Sequence, residues 1–155
     1  MKLTADQMRS LPDFFEQITD PRRAQGRRHR LHVVLSIAAA AVLCGMRGYS
    51  AISDWAQALS PAARERFRCR YKNGQYIVPS MSILRDVLIR VDPAELDRAL
   101  QKWNEQYGAV DESLAIDGKT MCNAIDDEGR QTHIMSVIGH QSKQCYTQKK
   151  WVPCL

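Results

Sequence analysis

The chain has 155 residues, of which 45% are hydrophobic and 25% charged, and its formal net charge is +5. Such a composition is typical of a soluble globular protein and excludes a low-complexity or disordered chain. The positive charge permits a nucleic-acid partner without requiring one. The five cysteines contain no CxxC pair. This spacing argues against a zinc ribbon and a disulfide framework, and it predicts a cytoplasmic location.

The first predicted elements are two helices that pack against each other. Apolar residues at helical spacing predict a short amphipathic helix that starts after Ser10 or Thr4 as its cap and ends near Asp20. The segment 31–46 is apolar nearly all round, so it is predicted to be the buried core helix, broken by Gly45 and Gly48. It is shorter than the roughly 20 residues that cross a bilayer, and no membrane partner is predicted.

Further helices are predicted over residues 50–59, 60–67 and 92–108. Ser60 before Pro61 is a good helix start, because a serine caps the first turn and proline suits the first helical position. Asp92 offers the same kind of cap before the last of these helices. The part of the chain before residue 108 is therefore predicted to be helical throughout.

Between the first two helices lies a basic loop that contains no acid after Pro21. Forked guanidinium donors suit phosphate oxygens, so the loop is a candidate DNA-backbone contact. A solvated charged linker is the alternative interpretation, and both stay open at this point. The arginines concerned are Arg22, Arg23, Arg27, Arg28 and Arg30.

Two later segments also carry candidate DNA contacts. Basic residues alternate with others from Arg64 to Lys72 and stand near two tyrosines, but alternation on a helix does not make one face. The helix predicted over residues 79–91 follows a short connection. It could be the recognition helix of a helix-turn-helix and expose Ser82 and Arg85 to DNA, although many helical hairpins share this pattern.

After a boundary at residues 108–113 the pattern changes to short strands. Residues 114–120, 132–138 and 144–149 predict an antiparallel meander. The first strand ends in Asp117, followed by Gly118. A buried strand that delivers a carboxylate at its end is one way to place a metal ligand. A plain strand followed by a turn has the same sequence pattern.

Several separated segments resemble one protein family. The stretches are AIDGKTM, DEGRQTHIMSVIGHQSK and CYTQKK, and the N-terminal LPDFFEQITDPRRAQGRRHRLHVVLSIAAAAVLCGMRGYSAISDWA. They resemble the insertion-sequence DDE transposases of the H-repeat-associated (ISAs-type) group, over Leu11 to Lys150 and in the same order. The resemblance implies an α+β protein, with a helical N-terminal domain followed by the first antiparallel strands of an incomplete RNase H-like fold.

The resemblance also implies a chemistry for Asp117. In that family three acids bind two Mg²⁺ or Mn²⁺ ions for phosphodiester transfer, and Asp117 matches the first acid and metal ligand. The later acids lie beyond this chain in relatives, and its last residues do not look like the family's continuation. We therefore expect a truncated protein that binds no metal stably and lacks catalysis.

The sequence thus predicts a helical DNA-binding domain over residues 1–110 and the start of a catalytic domain over residues 111–155. The expected partner is DNA at insertion-sequence ends, with a second copy or a full-length transposase as a further partner. One alternative is a non-catalytic inhibitor of a full-length transposase. Another is a protein-interaction module without a DNA role, which uses the exposed edge of its sheet.

Overall fold

The computed structural model describes residues 5–107, 113–125, 128–140 and 145–151. The chain forms a mixed α+β structure in which helices precede an antiparallel sheet. It divides into two compact units: the helical unit, up to Ala99, and the sheet unit, from Leu100 onward. The domain boundary predicted at residues 110 and 111 lies outside the described residues.

The helical unit is built around one apolar helix. Its helices are α1 (Ala5–Phe15), α2 (Leu31–Leu43), α3 (Tyr49–Gln57), α4 (Pro61–Arg66) and α5 (Met81–Arg90), with a short 3₁₀ turn at Ala24–Gly26. Helix α2 packs against α1, α3 and α5, and Val34 and Ile37 on α2 are fully buried. Burial on all sides matches a helix that is apolar nearly all round.

Local signals explain most of the helix ends. Gly45 and Gly48 follow α2 with φ of +87° and +84°, a conformation that glycine adopts without strain. The predicted break is thus confirmed. Ser60 caps α4 by accepting a hydrogen bond from the Ala63 N–H at 3.3 Å, again as predicted. Helix α1 begins at Ala5, which agrees with a start after Thr4 rather than after Ser10, and it contains Pro12 in its interior.

A β-hairpin interrupts the helices, which corrects the prediction of an all-helical first part. Strands β1 (Arg70–Lys72) and β2 (Gln75–Ile77) pair antiparallel around Asn73 and Gly74. Both turn residues have positive φ, +52° and +77°. Asn-Gly is the sequence preferred in such two-residue hairpin turns, because both central residues must have positive φ.

The apolar core behind the hairpin joins α2, α3 and β2. Its buried members include Val33, Ile37 and Ala56, together with Cys69 and Val78. The Trp55 and Phe67 side chains pack against this core. Their two rings meet each other edge to face, with centroids 6.3 Å apart. The core therefore fixes the α4–β1 connection beside the start of α2.

Helix α6 (Pro93–Tyr107) begins at the predicted cap. The carboxylate of Asp92 accepts a hydrogen bond from the Ala94 N–H at 2.8 Å. The Glu95 carboxylate binds elsewhere, since it accepts bonds from the N–H and hydroxyl of Thr19 at 2.6 and 3.0 Å. Among the described helices, none combines the length and hydropathy that a membrane crossing requires.

The sheet unit contains three antiparallel strands in the order β3 (Leu114–Ile125), β4 (Gln131–Gly139) and β5 (Cys145–Trp151). The predicted meander is thus confirmed. The register shifts between Thr120 and Ile125, which marks an irregularity in β3. The second half of α6 packs on β5, where the Gln101 amide donates to the Thr147 hydroxyl at 2.7 Å.

Candidate nucleic-acid interface

The basic loop between α1 and α2 is held together by an internal ion pair. The Arg22 side chain is only 3% exposed and donates two hydrogen bonds to the Asp20 carboxylate, at 2.9 and 2.8 Å. It also donates to the carbonyls of Gly26 and His29, at 3.2 and 2.8 Å. Partial burial raises the pKa of Asp20, but the bonds and charge of Arg22 outweigh this effect and lower it.

This geometry corrects the prediction that Arg22 contacts DNA. Its guanidinium is buried and bonded to the loop, so it organises the backbone that carries its neighbours. Arg27 has a mixed role, because it is half exposed yet donates to the carbonyls of Arg22 and Asp20 at 2.9 and 3.1 Å. Arg23 is exposed to solvent.

Two other arginines of the loop line an open cleft. The cleft lies where the loop and the start of α2 face the α4–β1 connection, and its volume is about 530 Å³. We call it the basic cleft. It is lined by Arg28, His29, Arg30, Val33, Glu65, Arg68, Cys69, Arg70 and Tyr76.

The arginines of the basic cleft are not all neutralised. Arg68 is paired, since it contacts the carboxylates of Asp13 and Glu16 at 2.9 and 3.3 Å. In the described part of the chain no acid is paired with the other three, which are exposed. These are Arg28, Arg30 and Arg70. The cleft thus presents three free guanidinium groups on one surface.

The pKa of His29 is influenced by the positive charges around the basic cleft. The residue is 4% exposed, and its Nδ1 atom is buried without a hydrogen-bond partner among the described residues. Burial lowers its pKa, and the charges of Arg70, Arg22 and Arg28 lower it further. The same arginine charges would stabilise an anion at this place.

The hairpin adds basic and aromatic groups beside the basic cleft. Arg70 and Lys72 share one face of β1, because they stand two residues apart in a strand. Tyr71 is 62% exposed and packs edge to face on Tyr76, with centroids 4.9 Å apart. The Tyr76 hydroxyl donates to Glu65 at 2.9 Å, and this bond raises the pKa of the tyrosine.

Sequence reasoning missed the contribution of this hairpin. Alternating basic residues do not share a face on a helix, but Arg70 and Lys72 do so in a strand. The usable signal was Asn73-Gly74 between two tyrosines, which favours a two-residue hairpin turn. Arg64 has yet another role, since it donates to the carbonyls of Leu59, Tyr76 and Gln57.

Helix α5, the predicted recognition helix, does not follow another helix through a short turn. Residues 67–80, including the hairpin, separate α4 from α5, so no short turn joins α5 to the helix before it. The helix-turn-helix prediction for this pair is corrected on that ground. Arg85 is exposed, and Ser82 is exposed with its hydroxyl 2.9 Å from that of Ser80. Their contact with DNA stays a prediction.

Asp117 lies in the sheet unit on β3. Its side chain is exposed, and its register partner on β4 is Ser136, which pairs in turn with Gln148 on β5. No acid accompanies Asp117 across these two register positions. The described residues contain no group of three His, Cys, Asp or Glu side chains that could hold a metal ion. They therefore do not fit a two-ion site.

Comparison with known proteins places the chain. Residues 12–104 match the family model described as DDE_Tnp_1-associated. The chain is also 30% identical over 142 residues to an uncharacterized protein in the dhlA 3′ region of Xanthobacter autotrophicus, covering 88% of this chain and 46% of that protein. The chain thus spans less than half the length of this curated relative. No solved structure matches significantly.

The matched residues contain all of the basic loop, the basic cleft and the hairpin. The family's N-terminal associated region, found in transposases of the DDE family, therefore carries the positive surface described above. The chain belongs to the DDE_Tnp_1-associated family of transposase proteins.

Proposed function

We propose that the helical unit binds DNA, with the arginines of the basic cleft contacting backbone phosphates. The observation that carries the proposal is the convergence of Arg28, Arg30 and Arg70, all exposed and without a paired acid in the described residues. Guanidinium groups bind phosphate through forked hydrogen bonds. The ion pair of Arg22 with Asp20 fixes the loop, so the entropy lost on binding is smaller than for a mobile loop.

The exposed tyrosine of the hairpin supports this assignment. Tyr71 is exposed and stands between Arg70 and Lys72 in β1, with its ring on the opposite face of the strand from these two cations. Aromatic rings stack on unpaired bases, and flanking cations hold the backbone. We expect distorted or single-stranded DNA to use Tyr71 more than intact duplex does.

The test is a titration of duplex DNA at several salt concentrations. Replacing Arg28, Arg30 and Arg70 with alanine together should weaken binding. It should also reduce the slope of log K against log salt by about 0.9 for each lost phosphate contact. The single variant Arg98→Ala is the control, because Arg98 is exposed but does not line the cleft. An unchanged slope in the triple variant would contradict the proposal.

The proposed DNA ligand is the end of an insertion sequence of the H-repeat-associated group. Family membership supports the general assignment, and the sequence resemblance supports the group. A competition between terminal repeats and random duplex of the same length tests the point. Tighter binding to the repeats is expected, whereas equal affinity would leave only general phosphate binding.

For the sheet unit we propose the opening strands of an RNase H-like catalytic domain, with Asp117 as the first acid of the triad. Three antiparallel strands, the first carrying an exposed aspartate, support it. A two-ion mechanism with Mg²⁺ or Mn²⁺ needs more carboxylates than Asp117 alone. We propose that this chain does not join DNA strands. Divalent-ion-dependent joining that is lost in Asp117→Ala would overturn that proposal.

The second candidate function is inhibition of a longer transposase. The observation in its favour is the outer edge of β3, which pairs with no strand among the described residues and could accept one from another protein. Such a complex would form whether or not the cleft arginines are present. Inhibition that persists in the triple arginine variant would favour this function over occupation of DNA ends. The cytoplasmic location stays a prediction.

A further inference from the structure

One face of the hairpin between α4 and α5 is polar and open to solvent. Lys72 on β1 and Gln75 on β2 stand directly opposite each other next to the turn, so their side chains project from the same face. Both are exposed, and neither side chain has a hydrogen bond or ion pair among the described residues. Arg70, two residues before Lys72 in β1, projects from this face as well. We call these three side chains the hairpin face.

The other face of the hairpin fixes it to the helical unit. The Tyr76 ring packs against the apolar core, and its hydroxyl donates to Glu65 on α4 at 2.9 Å. The guanidinium of Arg64, also on α4, donates to the Tyr76 carbonyl at 3.2 Å. Lys72 and Gln75 therefore project from an anchored element, and less conformational entropy is lost when they bind a ligand than for a free loop.

The hairpin face continues the surface of the basic cleft. Arg70 lines the cleft and also projects from the hairpin face. Contacts to phosphates fix the position and orientation of a protein on duplex DNA, whereas side chains that enter a groove read the bases. A DNA backbone held by the cleft arginines would therefore bring a groove of the same duplex to Lys72 and Gln75.

The width of the hairpin selects the groove. Two strands with a spacing of about 4.8 Å occupy about 10 Å across. The major groove of B-DNA is about 12 Å wide and admits a two-stranded ribbon, whereas the minor groove is about 6 Å wide. The turn residues Asn73 and Gly74 are small and exposed, so the tip adds no bulk to the ribbon. The hairpin thus fits the major groove and is too wide for an undistorted minor groove.

We propose that the hairpin lies in the major groove of duplex DNA and reads bases through Lys72 and Gln75. Lysine donates to O6 and N7 of guanine, and the amide of glutamine forms paired bonds with N6 and N7 of adenine. Directly opposed residues of a strand pair have Cα atoms about 4.5–5.5 Å apart, and base pairs follow each other at about 3.4 Å. Two long side chains at this spacing reach neighbouring base pairs. The assignment rests on the proposed DNA binding by the basic cleft.

Selection of bound sequences from a random duplex library tests the proposal with the whole chain. The wild-type chain should enrich a short motif with a guanine and an adenine at neighbouring base pairs. Lys72→Ala should lose only the preference for the guanine, and Gln75→Ala only the preference for the adenine. Each loss should weaken binding to the motif by about five- to a hundredfold. Arg98→Ala is the control and should enrich the wild-type motif, because Arg98 is exposed but lies outside the hairpin and the cleft.

Modified bases identify the groove. 7-Deazaguanine lacks the N7 acceptor in the major groove, inosine lacks the guanine amino group in the minor groove, and both still pair with cytosine. 7-Deazaguanine in the motif should weaken binding of the wild-type chain but not of Lys72→Ala, because N7 and Lys72 belong to one contact. Inosine should leave the wild-type affinity within about threefold. Hydrogen exchange of the hairpin amides checks that the hairpin persists in each variant.

The outcomes separate base reading by the hairpin from phosphate binding by the cleft. Absence of salt-dependent DNA binding by the whole chain would contradict both. DNA binding that weakens in the triple arginine variant, but with no enriched motif or with the wild-type motif kept in Lys72→Ala and Gln75→Ala, would overturn base reading alone. A motif that is sensitive to inosine and insensitive to 7-deazaguanine would place the contact in the minor groove and overturn the proposal as well.

Discussion

The two compact units differ in how they bury their apolar residues. In the helical unit α2 has ten buried side chains between Leu31 and Ala41. In the sheet unit, residues 114–121 of β3 are all exposed. The helical unit thus closes a core with its own residues, whereas the described residues of the sheet unit leave this part of β3 exposed. The difference teaches that apolar content alone does not make a core, because both segments are rich in apolar residues.

The largest expected effect is the difference in stability loss between alanine substitutions at two isoleucines, one in each unit. Ile37 is fully buried in the helical core, and Ile37→Ala should lower the free energy of unfolding by about 2–5 kcal/mol. Ile116 on β3 is 71% exposed, and Ile116→Ala should change it by less than about 0.5 kcal/mol in the dilute monomer. Urea denaturation followed by far-UV circular dichroism measures both. Equal losses would break the contrast between the units.

A second test asks whether the ion pair in the basic loop is structural. Asp20→Asn leaves the Arg22 guanidinium buried without its counter-charge, so we expect a loss of about 3 kcal/mol in the stability of the helical unit. Asp86→Asn removes the same kind of charge from the exposed pair with Arg90 and should change stability by at most about 0.5 kcal/mol. Matching small losses would mean that the loop does not depend on this pair.

A third test concerns the pH dependence of the stability of the helical unit. Burial lowers the pKa of His29 and of His32 below the ordinary 6.5. Cationic neighbours add to this effect at both residues, and Glu16 and Asp13 oppose it at His32. As the pH falls below 6.5 the unfolded chain therefore takes up protons that the folded chain does not.

Stability of the helical unit should consequently be constant above about pH 7.5. It should fall below pH 6.5, with a slope of at most about 1.4 kcal/mol per pH unit for each histidine. The double variant His29→Asn with His32→Asn should flatten the curve between pH 7 and pH 5. A wild-type curve that rises on acidification would contradict the direction of both pKa shifts.

Much of the helical unit could be predicted from its sequence because its signals are local. Ser60 with Pro61, Asp92 with Pro93, and the glycines after α2 each act within one turn of the chain. The start of α1 was left open between Thr4 and Ser10 as caps, because Pro12 marks a first helical turn in most contexts but lies inside this helix. The hairpin was missed because its strands have three residues each, too few for an alternating pattern.

The candidate site was harder to predict than the fold. The charged loop was identified, but the burial of Arg22 depends on Asp20 and on the carbonyls of Gly26 and His29, which only the folded loop brings together. The basic cleft joins Arg28 and Arg30 to Arg70, about 40 positions later in the chain. Charge in a sequence gives composition, whereas a site requires convergence in space.

The reaction rate of the buried Cys69 thiol reports how often the core of the helical unit opens. Cys69 is 5% exposed in the apolar core and lines the basic cleft, and burial raises its pKa to about 11. A thiol reagent near neutral pH reacts with the thiolate, so it labels Cys69 chiefly when the core opens. Cys44 is exposed and marks the rate of an open thiol in the same molecule. The ratio of the Cys69 rate to the Cys44 rate therefore measures how often the core opens. DNA bound over the cleft should slow the labelling of Cys69 and leave that of Cys44 unchanged.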